Sequence, residues 1–156
     1  MIQVYCAEPT GGAVRSVRQL RPDSAEVLRV FDRLKLCPNM FGEIKPDLLE
    51  KLIAEHTKFW LVDDVGLLAF DQWRSDSAHV HMTFWDRRLR GREALCKTVM
   101  CRLMAEHSID RVYTVIPLAS RIVRAFALRI GFKPDHMLND KQLFWFSSSL
   151  CTLEYH

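Results

Sequence analysis

Residues 86–100, "DRRLRGREALCKTVM", place Arg87, Arg88, Arg90 and Arg92 within six positions around Gly91, and an apolar-periodic run follows at once. A helix that begins near Gly91 leaves several backbone N–H groups without partners, and its dipole is positive at that end. Glycine lets a ligand approach the backbone closely. Arginine adds charge-assisted bonds to phosphate oxygens. The combination suits a pyrophosphate. It also suits a solvated basic loop or a nucleic-acid backbone contact, and these residues alone do not choose among the three.

The second chemical feature is "AHVHMTFW" (78–85). Read as a strand, it puts His79, His81 and Thr83 on one face and Val80, Met82 and Phe84 on the other. A neutral imidazole near pH 7 can take a proton from an ammonium group, directly or through water. A histidine pair on a half-polar strand needs no such role. Zinc requires a third ligand, and no other His or Cys is obviously paired with these two, so no metal is expected.

Other tempting residues read as structural. The aromatic run "LFWF" (143–146) has only Lys141 beside it, whereas single-stranded nucleic-acid readers interleave aromatics with basic groups. Arg121, Arg124 and Arg129 mostly line the solvent face of a helix. Cys96 and Cys101 are five apart and share a helical face poorly.

Elements must position these groups. Ile2–Cys6 and "SVRQL" (16–20) read as strands. Asp23 and Glu26 have capping-box spacing at the start of a helix whose apolar face carries Leu28, Phe31 and Leu34. A second helix is expected over Asp47–Glu55. "KFWLVDD" (58–64) and "GLLAFDQW" (66–73) read as a hairpin, and 78–85 as a third strand. The helix after the arginines carries Leu95, Val99 and Leu103 on one face. "RVYTVI" (111–116) is a strand. A helix over 121–130 turns Ile122, Val123, Phe126 and Ile130 inward and ends at Gly131, with Phe132 as apolar clamp. "QLFWFS" (142–147) is the last strand. Consecutive strands in the middle and helices between later ones give an α/β (α+β) chain. Its mixed sheet is covered on both faces, with a parallel pair where a helix crosses.

Composition sets the class. The 156 residues suit one domain, and 49% hydrophobic with 26% charged residues is ordinary for a globular protein. A net charge of +3 is too weak to name a nucleic-acid partner. Five cysteines without a CxxC pair argue against a disulfide framework and favour reduced thiols in a cytoplasmic compartment. No apolar run approaches a membrane span. The N-terminal "MIQVYCAEPTGG" lacks the pattern of a secretory signal.

The strand–"RRLRGREAL"–helix stretch resembles the coenzyme A loop of the GNAT superfamily of N-acetyltransferases, whose pattern is Arg or Gln, two residues, Gly, one residue, then Gly or Ala. Arg88 and Gly91 match, and Glu93 departs where a small residue is expected. "ASRIVRAFALRIGFKP" (119–134) resembles the later motif of the family: Asn, a helix, Tyr, then Gly-Phe. Gly131-Phe132 match, Ser120 stands at the Asn position and Ala127 at the Tyr position. With "SVRQLRPDSAEVLRVF", the resemblance covers about residues 16–147 of a single domain, 1–156.

The resemblance implies a mixed, mostly antiparallel sheet flanked by about four helices. It also implies acetyl-coenzyme A as cosubstrate and transfer of its acetyl group to a small-molecule or protein amine by direct attack. The coenzyme pyrophosphate would be held at Arg88, Leu89, Arg90, Gly91, Arg92, Glu93 and Ala94. Ser120 would replace the Asn and cap its helix. The strand of His79 and His81 would align the thioester by backbone hydrogen bonds, with these two histidines as candidate catalytic groups. The Tyr that protonates the departing thiolate is missing at Ala127, and Glu93 would repel a pyrophosphate unless turned outward. A non-catalytic GNAT-like protein, as in some phage virions, is therefore the first alternative. A nucleic-acid-binding module using the arginine loop is the second.

Overall fold

The computed structural model describes residues 3–6, 15–38, 40–55 and 57–151. Strands β1 (Gln3–Cys6) and β2 (Arg15–Leu20) lead into helix α1 (Ala25–Leu36). Strand β3 (Phe41–Gly42) and helix α2 (Pro46–Ala54) follow, then β4 (Lys58–Val62), β5 (Gly66–Asp71) and β6 (Ser77–Phe84). Helix α3 (Glu93–His107), β7 (Arg111–Pro117), α4 (Arg121–Ile130), β8 (Lys133–Leu138), β9 (Lys141–Ser147) and a 3₁₀ turn at Ser148–Cys151 complete the order.

Among the described residues the strands form one sheet, ordered β1-β2-β4-β5-β6-β7-β9-β8, with β3 added on β6. Only β6 and β7 pair in parallel, because α3 crosses between them; every other described pairing is antiparallel. This is the expected mixed sheet with four helices.

Two apolar layers cover its faces. Val80, Met82 and Phe84 of β6 pack with Leu95, Val99, Leu103, Val123 and Phe126 of α3 and α4. Leu67 and Ala69 of β5 pack on the opposite face with Val27, Phe31, Leu34, Leu49 and Leu52 of α1 and α2. Thr83 and His81 stand opposite Leu67 and Ala69 in the ladder, so the histidines belong to the α1/α2 face.

Several details differ from the sequence reading. Ser24 caps α1, its hydroxyl accepting the Val27 N–H at 3.4 Å, while Asp23 pairs with Arg21. The buried face of α1 is Val27, Val30, Phe31 and Leu34, and Leu28 is 59% exposed. Phe31 and Leu34 are buried as expected, and Val27 and Val30 complete their i, i+3, i+4, i+7 stripe, leaving Leu28 outside it. Leu95, Val99 and Leu103 are buried as expected, and so are Cys96, Met100 and Met104. The α4 terminus follows expectation: Gly131 and Phe132 donate their N–H groups to the Ala127 carbonyl at 3.2 and 3.0 Å.

The expectation of reduced thiols fails at one pair. Cys101 on α3 and Cys151 of the 3₁₀ turn form a disulfide across 50 residues, with Cα atoms 5.5 Å apart. The turn folds back on α3, a long-range contact that local spacing does not encode. Cys37 and Cys96 are free thiols, and burial pushes the Cys96 thiol far up. No helix of the described residues is long and apolar enough to cross a membrane.

Candidate active site

The parallel pairing of β6 and β7 is short. It runs through Ser77–Arg111, Ala78–Val112 and His79–Tyr113. β7 continues along β9 to Pro117, while β6 continues along β5 to Phe84. The strands part beyond His79, and a cavity of about 520 Å³ opens there, lined by Glu43, His79, His81, Val115, Pro117 and Lys141 among others.

Past the parting point, β3 takes the edge of β6 that β7 has left. Phe41 pairs with Phe84 and Gly42 with Thr83, and the Glu43 N–H donates to the Met82 carbonyl at 3.2 Å. Gly42 has φ +113°, and a Cβ there would collide with the Met82 carbonyl, so only glycine allows this approach. The Thr83 hydroxyl accepts the Ile44 N–H at 2.9 Å and donates to the Ile44 carbonyl at 3.1 Å. Residues 41–44 are thereby fixed on β6.

His79 and His81 lie on one face as expected, with ring centroids 4.0 Å apart. Two carboxylates flank them. Glu43 Oε2 is 3.7 Å from His79 Nε2 and 3.7 Å from His81 Nδ1. Asp71 Oδ1 is 3.4 Å from His79 Nδ1 and 3.0 Å from His81 Nε2. Burial opposes a charge on His79, but the contacts with Asp71 and Glu43 outweigh it and raise its pKa. Burial likewise works against ionised Asp71, and the two histidines more than reverse this, holding it well below the carboxylate range. Tyr113 stacks flat on His79 at 4.7 Å and donates its hydroxyl to Gln72 at 2.7 Å. The expectation of no metal rested on the lack of a third His or Cys; the carboxylate of Glu43 stands beside the two histidines instead, and donor atoms of Glu43, His79 and His81 lie within 4.8 Å of one another.

The arginine loop ends at α3 as expected, and Gly91 has φ +84°, a conformation that favours glycine. Four of its amides are engaged internally. Arg88 N–H donates to Asp86 at 2.9 Å, Leu89 N–H to the Arg87 carbonyl at 2.9 Å and Arg92 N–H to the Leu89 carbonyl at 3.0 Å. Gly91 N–H donates to Glu93 Oε2 at 2.7 Å. The Arg88 guanidinium pairs with Asp86 and holds that carboxyl down at about 2. Arg92 reaches Asp63 at 3.2 Å and the Arg88 carbonyl at 2.6 Å. Partial burial opposes the charge on Glu93, but Arg129, at 2.8 Å, and the amides of Gly91 and Glu93 lower its pKa. Three carboxylates of the protein, Asp86, Glu93 and Asp63, therefore meet the amides and guanidinium groups that a pyrophosphate would use. Leu89 is 1% exposed and packs in the core. Arg90 and Ala94 flank the same turn, at the start of α3.

Ser120 occupies the N-cap of α4, but its hydroxyl makes no capping hydrogen bond; its carbonyl accepts the Arg124 N–H at 3.0 Å and its own N–H donates to the Pro117 carbonyl at 2.9 Å. Ala127 is fully buried on the core-facing side of α4.

Sequence reasoning missed Glu43, Asp71 and Tyr113. The hairpin register could have found Asp71, which stands opposite His79. Nothing in a two-residue strand announces Glu43.

No protein-family model matches the sequence. No curated protein matches it either. Solved structures do. The GNAT domain of S. lividans PAT is 15% identical, covering 93% of this chain and 96% of that one, with a TM-score of 0.68. Mycobacterium smegmatis RimJ, in complex with CoA-disulfide, is 16% identical over 90% of this chain and 85% of its own, with a TM-score of 0.65. Campylobacter jejuni N-acetyltransferase PseH, in complex with acetyl coenzyme A, is 12% identical over 84% of this chain and 98% of its own, at 0.59. By these likenesses the chain has the fold of the GNAT acetyltransferases.

Proposed function

We propose that the chain is a GNAT-type N-acetyltransferase, taking its acetyl group from acetyl-coenzyme A and passing it to an amine. The observation that carries this reading is the parting of β6 and β7 over a cavity with His79 and His81 at its wall. The coenzyme supplies an activated acetyl thioester. The loop from Arg88 to Ala94 would hold its pyrophosphate, with Arg88, Arg90 and Arg92 as counter-charges. Gly91 fits that role, having no side chain and an unusual φ. Glu93 fits only if its carboxylate leaves the Gly91 amide.

The edge of β6 would align the acceptor and the thioester. Alternation of hydrogen bonds directs the Met82 and Phe84 backbone to this edge, where β3 now pairs. Binding therefore requires β3 to yield part of its seat. An ammonium acceptor in the cavity would lie against Glu43 and Asp71, and His79 or His81 would accept its proton before attack. Positioning of amine against thioester supplies most of the rate. No covalent enzyme intermediate is needed.

A second reading, a non-catalytic protein of the same fold, is favoured by Glu93 on the Gly91 amide and by Ala127, which offers no acid to a leaving thiolate. A nucleic-acid module finds less support, because Arg88 and Arg92 are already paired with Asp86 and Asp63. The deciding experiment incubates the protein with acetyl-coenzyme A and a broad set of amines and reads free thiol and acetylated product. The reading expects at least one acceptor to give product. Coenzyme binding without any transfer would assign the chain to the second reading.

A further inference from the structure

We infer that Glu43, His79 and His81 form a binding site for one divalent transition-metal ion, zinc foremost, with an open coordination position facing the cavity between β6 and β7. The inference stands apart from acetyl transfer.

The donor set is one carboxylate and two imidazoles, the His₂Glu combination that suits zinc. The atoms already converge. His79 Nε2 and His81 Nδ1 each lie 3.7 Å from Glu43 Oε2. Ligands at about 2.0–2.1 Å from a tetrahedral ion are about 3.3 Å from one another. A contraction of a few tenths of an ångström brings Glu43 to that spacing from both nitrogens, and the two imidazole nitrogens, within 4.8 Å of each other, draw together as the ion binds.

The two nitrogens also lack other employment. Both are inaccessible to solvent and have no hydrogen-bond partner, and the residues carrying them are only 7% and 6% exposed. Buried polar atoms of a native fold are normally satisfied. An ion between them and Glu43 would satisfy both at once.

The surroundings are those of a metal site. Asp71 Oδ1 lies on the far side of both rings, 3.4 Å from His79 Nδ1 and 3.0 Å from His81 Nε2. Asp71 bonds His81 Nε2, and a proton there leaves the Nδ1 lone pair for the ion, the arrangement by which outer carboxylates orient metal-bound histidines; His79 Nδ1 lies beside the same carboxylate without a hydrogen bond to it. Glu43 is held by backbone: its own N–H bonds Met82, and its neighbour Ile44 makes two bonds to Thr83. All three ligands line the cavity, so a fourth position is reachable by water or by a donor atom of a bound molecule. With the ion present, both imidazole lone pairs are ligated, and neither can accept the proton of an acceptor amine.

The test is titration of chelator-treated protein with Zn²⁺ by calorimetry, and with Co²⁺ by visible absorption. One Zn²⁺ per chain with a dissociation constant below about 1 μM is expected, a limit weaker than the closed sites of zinc-finger peptides because one position here is open, together with the visible bands of a four- or five-coordinate Co²⁺. Glu43→Gln, His79→Ala and His81→Ala should each weaken binding at least about 100-fold. Asp71→Asn, a positioning change, should weaken it about 10- to 100-fold. His136→Ala, at an exposed histidine away from the cluster, should leave it unchanged. Melting curves of each variant accompany the titration, and should a histidine variant fail to fold, the near-isosteric Glu43→Gln decides. Absence of binding at 100 μM Zn²⁺, or affinity unchanged in Glu43→Gln, would overturn the assignment. The titration uses no coenzyme, so failure of the acetyltransferase reading leaves its result intact.

Discussion

Glu93 Oε2 accepts the Gly91 amide at 2.7 Å while Oε1 takes the Arg129 guanidinium at 2.8 Å. One carboxylate thus holds the loop amide that a coenzyme phosphate would claim and ties the first turn of α3 to the end of α4. Replacing it with Ala removes both the competitor and a like charge. Glu93→Ala is expected to tighten acetyl-coenzyme A binding by about 5- to 30-fold, an effect of roughly 1–2 kcal/mol. Calorimetry on the two proteins checks this, and equal or weaker affinity in the variant would show that Glu93 does not stand in the phosphate position.

The same residue gives a pH signature. The folded state lowers the pKa of Glu93, so its contribution to stability is present above the ordinary glutamate range and is lost as pH falls through the lower folded value. Wild type should melt above Glu93→Gln at neutral pH, and the gap should close on acidification below about pH 4. Arg129 is 40% exposed at its side chain, so solvent screening keeps the pair to about 0.2–1 kcal/mol. A gap that widens on acidification would contradict the assignment.

Ala127 lies where the resembling family carries Tyr, but it is fully buried, on the core-facing side of α4. Its neighbours in that core include Phe84, Phe126 and Ile130. A phenol has no room there. Ala127→Tyr is expected to lower stability by about 1–3 kcal/mol through overpacking and to bring no gain in thiol release. Denaturant unfolding and a thiol assay, run together, separate the two effects; a stable variant with faster release would show that the position opens toward the coenzyme.

The Cys101–Cys151 bridge spans 50 residues and pins the 3₁₀ turn to α3. Its loss frees a long loop in the unfolded chain. Cys101→Ser is expected to cost about 2–4 kcal/mol, with reduction of the wild type giving a similar loss. Thermal melts with and without reductant measure it, and identical melts would mean that the bridge adds nothing to stability.

The legible part of this fold was the part with strong periodicity. Alternation along "AHVHMTFW" placed the histidines on one face, and the apolar runs 58–64 and 66–73 gave the hairpin that carries Asp71. β8 escaped because "KPDHML" contains Pro134, has no alternation and is exposed throughout; its order comes from pairing with β9. β3 escaped because two residues have no period. That omission hid Glu43, the third member of the cluster, since only the seating of Gly42 against Met82 brings it there. The arginine loop showed a different limit. Its residue types announce anion binding, but Asp86 and Glu93 are near neighbours whose carboxylates fold back onto its amides. Composition lists both signs of charge without saying which will pair.

Calorimetric titration of the wild-type chain with acetyl-coenzyme A tests the central claim most directly, with Gly91→Glu as the paired variant. The account predicts one saturable site per chain, a melting temperature that rises with coenzyme by mass action, about 2.7 kcal/mol at 100 times the dissociation constant, and loss of both in Gly91→Glu. That variant adds negative charge and a side chain at the one loop residue with φ +84°. No heat and no shift in melting temperature at millimolar coenzyme would contradict an acetyl-coenzyme A site in this fold.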